Sequence, residues 1–423
     1  MAPVSPQDPW VQVAEVVRLI RSGEAQTRPE LADATRLGRN VITLRIQAAQ
    51  ELGLVEPSGD ARSRGGRAAE VWQLRGDAGY LAIGIHGPTG FRVAIADLCL
   101  RVIAQRDVEW PIFTADPAET SERMAAEIEA MTPAELSGKL WGVGIGVLGP
   151  VNFTTGGNAD PVAPSALGRW PRTFDVRGWF TKRMKAPVLV ESVANLMALG
   201  ASAAPGAPDD LIAIRMQLGV GSGIVSDGRL HRGADWIAGE TNHVLVHPDS
   251  DRICICGKTG CLDAYAGAWA VAEDARRMLN QGRSTTLSRL DPEKLTVDDV
   301  VAAAESGDIA SAEIILRAAD ALGRVLATVV TWFNPRRVVI GGNSLAASML
   351  FQNAMRRTLN AQALAASVEH VEIKAGDPDR AEEVHGAFFM VREALLSPSH
   401  VAEWGPVGSP TKATALRKRI TQI

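Results

Sequence analysis

The chain has only four cysteines among 423 residues, yet three of them fall within CICGKTGC at 254–261. Long apolar runs are also missing. LGRVLATVVTWF is interrupted by Arg324 and is too short to span a bilayer, so no membrane association is expected. The opening residues, MAPVSPQDPWVQVAEVV, carry Asp8 and have no basic stretch leading into an apolar core, which argues against a secretory signal. The expected compartment is therefore the cytoplasm, where thiols stay reduced and a disulfide is disfavoured. Neither charge dominates: 44 Lys and Arg stand against 48 Asp and Glu, a formal net charge of −4. With 46% apolar and 22% charged residues, the composition is that of an ordinary soluble protein. At about 100–200 residues per domain, the length predicts two or three domains with real cores.

The first block, residues 1–76, contains apolar Val11, Val13, Val16, Val17, Leu19 and Ile20 at helical spacing. Thr27 and Glu30 form a capping-box pattern opening a short helix, TRPELADAT. After Leu37-Gly38 a third helix, RNVITLRIQAAQEL, runs to Gly53, and LVEP and EVWQL read as two short strands. Three helices followed by a basic hairpin is the order of a winged helix-turn-helix. From Arg36 to Arg75 there are seven arginines against four carboxylates, a local excess of +3 in an acidic chain. Arg39, Asn40, Thr43 and Arg45 on the third helix suit major-groove contacts, and Arg62, Arg64 and Arg67 in the Gly-rich hairpin tip suit the minor groove or phosphate.

The second block, from about 80 to 396, alternates strands and helices, which predicts an α/β domain of two lobes around a cleft. The lobes are expected at 77–198, completed by a C-terminal helix near 380–396, and at 199–379. Residues 397–423, rich in Pro, Gly and Ser, predict a flexible tail.

In a reducing compartment the C-x-C-x4-C spacing, with a histidine upstream, supplies four ligands for a tetrahedral zinc. Gly257 and Gly260 permit the tight turns that aim the sulfurs at one centre. With every ligand position filled, such a zinc is structural. Cys99 reads as a core thiol. The histidine is open at this point among His243, His231 and His247.

From about 80 to 396 the sequence resembles the ROK family (repressors, open reading frames and kinases). The resemblance rests on GVGSGIVSDGRLHRGADWIAGETNHVLV followed by CICGKTGCLDAYAG, with GVGIGVLGPV and NPRRVVIGG in support. It implies a two-lobed actin/hexokinase-like domain, and the winged helix in front places the chain with the family's repressors. It further implies that His243, Cys254, Cys256 and Cys261 bind Zn²⁺, and that Glu240 and His243 border a sugar cleft. Asp263 stands where the family usually has Glu, and Asn242 where it has Gly.

Two other stretches bear on catalysis. In IGIHGPTG, His86 occupies the position of the Asp that positions Mg²⁺ and phosphate in the family's kinases. In ESVAN, Ser192 and Val193 replace an Asn and the catalytic Asp. Phosphoryl transfer to a hydroxyl needs a carboxylate base and Mg²⁺, and valine supplies neither. The expected protein is thus a homodimeric or tetrameric repressor of carbohydrate-related genes, not an enzyme. Its partners would be an inverted-repeat operator and a carbohydrate effector touching Glu240, His243, Asp263 and Ser192. The alternatives are a sugar kinase with a relocated base, Glu191 being the nearest candidate, and a ligand-blind regulator using the domain only to dimerise.

Overall fold

The computed structural model describes residues 5–60, 69–153, 155–158 and 174–420. Helix α1 (Pro9–Ser22) opens with Asp8 accepting from the Trp10 and Val11 amides and stops at Gly23. Helix α2 (Arg28–Thr35) carries the full capping box: Thr27 Oγ1 accepts from the Glu30 amide while Glu30 accepts from Thr27. Helix α3 (Arg39–Glu51) follows a left-handed turn at Arg36. Strands β1 (Val55–Asp60) and β2 (Glu70–Leu74) pair antiparallel, with Val55 opposite Leu74, and Thr27 bridges to Val71. Three helices and a hairpin are thus in place. Residues 61–68, and with them Arg62, Arg64 and Arg67, lie outside the described residues.

Two sheets of one topology follow. In the first, β3 (Tyr80–His86), β4 (Gly90–Asp97) and β5 (Val102–Glu109) form an antiparallel meander. Helix α4 (Pro117–Met131) crosses to β6 (Leu140–Val147), which runs parallel to β3. A small hairpin, β7 (Val151–Asn152) and β8 (Gly157–Asn158), and helix α5 (Val176–Met184) lead to β9 (Val188–Ser192), parallel to β6. Helix α6 (Val193–Ser202) then carries the chain to the second sheet. There β10 (Leu211–Met216), β11 (Val220–Ser226) and β12 (Arg229–Leu230) repeat the meander. After α7 (Asp263–Ala266), α8 (Ala268–Asn280), α9 (Val297–Glu305) and the long α10 (Ile309–Phe333), strand β13 (Arg337–Gly342) lies parallel to β10. Helices α11 (Ser344–Ala347), α12 (Met349–Gln362) and α13 (Ala365–Val368) precede β14 (Glu372–Ala375), parallel to β13.

Helix α14 (Ala381–Leu395) returns to the first sheet and packs on β3, β6 and α6, while α6 also touches β10 and β11. The two helices cross closely. A Cβ on Gly200 would lie 1.9 Å from the Glu382 carbonyl oxygen, and one on Gly386 1.9 Å from that of Leu196. Backbone cannot yield to a side chain there, so both positions require glycine.

The composition of residues 397–423 predicts a flexible tail, and this is corrected by the structure. Helices α15 (Pro398–Trp404) and α16 (Thr414–Arg419) form two short elements joined by 3₁₀ turns. Val401, Trp404 and Leu416 of these helices, with Ile420 just beyond α16, are buried in one core with α1, β3 and α14. Pro398 starts α15, where its missing N–H costs nothing. The Trp404 ring meets Trp141 edge-on at 5.4 Å between centroids, and its Nε1 donates to the Leu395 carbonyl at 2.8 Å. Trp10 of α1 rests on Gly405, where a Cβ would meet its ring at 2.5 Å. Arg21 of α1 forms a two-pronged ion pair with Glu393 near the end of α14. Trp404→Ala is expected to cost about 3–5 kcal/mol of unfolding free energy, read from urea titration. A cost below about 0.5 kcal/mol, as for an ordinary surface substitution, would mark the segment as peripheral.

Candidate functional site

Between the lobes lies a cavity of about 310 Å³. Strand β9 delivers Ser192 to it and α6 begins there with Val193, so strand alternation stops short of the valine. Ser192 caps α6, its Oγ accepting from the Asn195 amide at 3.2 Å. Glu240, Asn242, His243 and Asp263 line the facing wall. The cavity therefore brings together Ser192, Glu240, His243 and Asp263, which the sequence placed at a ligand site, with Val193, which it placed at a lost catalytic position. It adds Arg215, Gln217 and Trp269, which the sequence did not single out. The available signal for Arg215 was a lone cation inside the apolar run LIAIRM.

Asp263 is fully buried, and its two oxygens accept from the Val220 amide at 2.8 Å and Trp269 Nε1 at 2.9 Å. Burial pushes its pKa up. It thus anchors the β10–β11 turn and the indole, and shapes the wall through them. Glu191 is equally committed. Its Oε1 accepts from the Ser192 amide and Asn195 Nδ2, both at 2.9 Å, and its Oε2 from Arg232 Nε at 2.8 Å. The Arg232 guanidinium in turn stacks over Phe153, 4.0 Å from the ring centroid. His86 ends β3 and is buried, and burial pushes its pKa down to about 3, so it stays neutral.

Beside this wall, donor atoms of His243, Cys254, Cys256 and Cys261 all lie within 4.8 Å of one another. Cys256 Sγ and Cys261 Sγ are 3.8 Å apart, and Cys254 Sγ lies 3.6 Å from His243 Nδ1. A tetrahedral cation with bonds of about 2.3 Å to sulfur and 2.0–2.1 Å to nitrogen requires edges of about 3.8 and 3.6 Å. The four groups fit such an ion. His231 and His247 are not in the cluster. Gly257 and Gly260, at φ of +82° and +77°, make the turns between the sulfurs. Burial pushes the Cys254 thiol pKa up, so a bound cation is what would favour the thiolate. With its oxygen toward the ring, the Asn242 amide accepts from His243 Nε2 at 3.1 Å and donates to the Glu240 carboxylate at 3.2 Å. This leaves Nδ1 facing the cluster and ties the histidine to the cleft carboxylate through Asn242, where the family resemblance expects glycine.

At the winged helix, Arg39, Asn40, Thr43 and Gln47 share the exposed face of α3 together with Leu44, which is 57% exposed. The expectation that Arg45 joins them is corrected. It points to the other side of the helix, half-buried, where its Nε donates to Gln12 Oε1 of α1 at 2.9 Å. Arg45 braces the two helices.

This architecture and site have known counterparts. The sequence pattern of the ROK family matches residues 80–394, and the chain belongs to that family. It is 26% identical over 389 residues to the xylose repressor of Caldicellulosiruptor bescii, covering 90% of this chain and 95% of that protein. It is also 30% identical over 260 residues to a glucokinase of Halalkalibacterium halodurans, covering 60% of this chain and 77% of the enzyme. The crystal structure of a ROK family transcriptional regulator, a homologue of the E. coli MLC protein, superimposes with a TM-score of 0.79 at 22% identity. That alignment covers 93% of this chain and 99% of the other. The two-lobed actin/hexokinase-like fold extends with it to the N-terminal domain.

Purified protein is expected to carry about one divalent ion per chain by elemental analysis, as a single four-ligand shell requires. Cys256→Ser should lower both the metal content and the melting temperature. A variant that keeps its melting temperature without metal would show the cluster to be an ordinary group of buried thiols.

Proposed function

We propose that the chain is a DNA-binding transcriptional regulator, a repressor of carbohydrate-related genes, whose two-lobed domain senses a metabolite and does not turn it over. One juxtaposition carries this reading. A winged helix with an exposed polar face on α3 precedes a metabolite-sized cleft in which Val193 stands where phosphoryl transfer needs a carboxylate. An aligned general base contributes about 10²–10⁴ in rate, and a Val193 side chain cannot accept a proton. Glu191, the nearest candidate for a relocated base, has both oxygens engaged by three donors. His86, neutral and buried, offers no negative charge to Mg²⁺ and phosphate. The cavity supports sensing over a ligand-blind scaffold, since a domain used only to dimerise has no need of one lined by Glu240 and Asn242.

Four soft or borderline ligands with no open position suit a structural zinc. Such an ion would stiffen the wall carrying Glu240 and His243. Arg39, Asn40 and Thr43 would read base edges in the major groove, and Arg62, Arg64 and Arg67 would contact the minor groove or phosphates. A two-fold dimer of such chains matches an inverted repeat. Among the described residues no helix is long and apolar enough to cross a membrane, and a cytoplasmic site of action accords with reduced thiols.

Selection from random-sequence DNA followed by footprinting should return an inverted repeat. Arg39→Ala should weaken binding to it by about 1–3 kcal/mol, about 5–150-fold, in fluorescence anisotropy. Sugar-dependent ADP release from ATP, or the absence of any selected sequence, would overturn the reading.

A further inference from the structure

The exposed face of α3 runs from Arg36, in the turn before the helix, through Arg39, Asn40, Thr43 and Leu44 to Gln47. Residues 34–50 hold three arginines and no carboxylate, so this surface suits a polyanion. Two of its polar side chains are already engaged within the helix. Thr43 Oγ1 donates to the Arg39 carbonyl at 3.0 Å, and Gln47 Nε2 donates to Glu51 Oε1 at 3.1 Å. Leu44 stands on the same stripe, four residues after Asn40 and three before Gln47, and is more than half exposed. The buried face of the helix is made by Ile42, Ile46 and Ala49 instead. A single exposed leucine is ordinary on a protein surface. One in the middle of a basic, carboxylate-free helix face calls for a covering surface that is anionic around its rim and apolar at its centre.

We propose that Leu44 reads thymine: its side chain packs on the 5-methyl group of one thymine in the major groove of each half-site. The assignment rests on the DNA-binding role proposed above and names a base that the role leaves open. The major groove combines the two properties the face requires. Its phosphates flank the helix, within reach of Arg36 and Arg39, and thymine places a methyl group on its floor. Cytosine carries only a hydrogen at the same ring position, so an apolar contact there selects thymine without a hydrogen bond. With the Thr43 hydroxyl turned back to the helix, Leu44 is the larger of two apolar groups available for that contact. Burying one methyl group contributes about fourfold in affinity.

The test replaces thymine by uracil, one position at a time, in the selected operator, with affinity read by anisotropy on the full-length protein. Uracil keeps every hydrogen-bonding group of thymine and lacks only the methyl. At one position in each half-site the change should weaken binding by the unaltered protein about fourfold, and about sixteenfold when both half-sites carry it. Leu44→Ala should bind the thymine operator more weakly and no longer distinguish thymine from uracil at that position. Leu44→Met, which keeps an apolar side chain of similar reach, should retain the distinction. Both variants should keep the melting temperature of the unaltered protein, since Leu44 lies outside the buried core. A scan in which no uracil weakens binding, or in which Leu44→Ala keeps the same sensitivity, would overturn the thymine contact and leave the DNA-binding role standing. Selection that returns no sequence would overturn both.

Discussion

The close crossing of α6 and α14 is the contact on which the rest of this structure depends. Gly200 and Gly386 bring backbone against backbone, at a cost in helix propensity of about 1 kcal/mol each relative to alanine. Three features hang on these two helices. The first turn of α6 places Val193 in the cleft, behind Ser192 as its cap. The first turn of α14 presents Glu383 to Arg215, and its last turn presents Glu393 to Arg21 of the winged helix. One rigid element therefore touches the cleft at one end and the DNA-binding domain at the other. The core that joins α1, α14 and α15 is continuous, so the winged helix is packed onto the first lobe rather than tethered to it.

The cleft sets the wall that carries Glu240, Asn242 and His243 against the start of α6. His243 belongs to the Cys/His cluster and, through Asn242, is tied to Glu240, so the geometry of that cluster is passed to the cleft side within three residues. Opposite stands the aliphatic side chain of Val193. Glu191, although buried and acidic, serves as a strut that fixes Ser192, Asn195 and Arg232 in place. A carboxylate engaged in this way shapes the pocket.

Much of this was legible in the sequence, for identifiable reasons. The helices of the winged domain were marked by apolar spacing and by the Thr27–Glu30 capping box, which are local signals. The Cys/His cluster was marked by spacing between residues that have few other uses together. Position 193 was read from the residues around it, Glu191, Ala194 and Asn195. What escaped depends on tertiary contacts. Proline and glycine in 398–420 look like linker composition, yet Pro398 starts and Gly405 ends a seven-residue helix that packs on α1. Arg45 looks like its neighbours on α3 until the helix phase turns it to Gln12. The committed role of Asp263 needed Trp269 and Val220 to be placed around it. The pairing of Arg215 with Glu383, 168 residues away, is likewise a tertiary contact.

The central claim is that the cleft and the winged helix act as one thermodynamic unit through α14. The most direct measurement is the affinity for the selected operator, by anisotropy, without effector and at saturating effector. The account predicts a change of about 5–150-fold in either direction, a coupling of about 1–3 kcal/mol, matched by the same factor in effector affinity when operator is present. Identical operator affinities at full effector occupancy would contradict it.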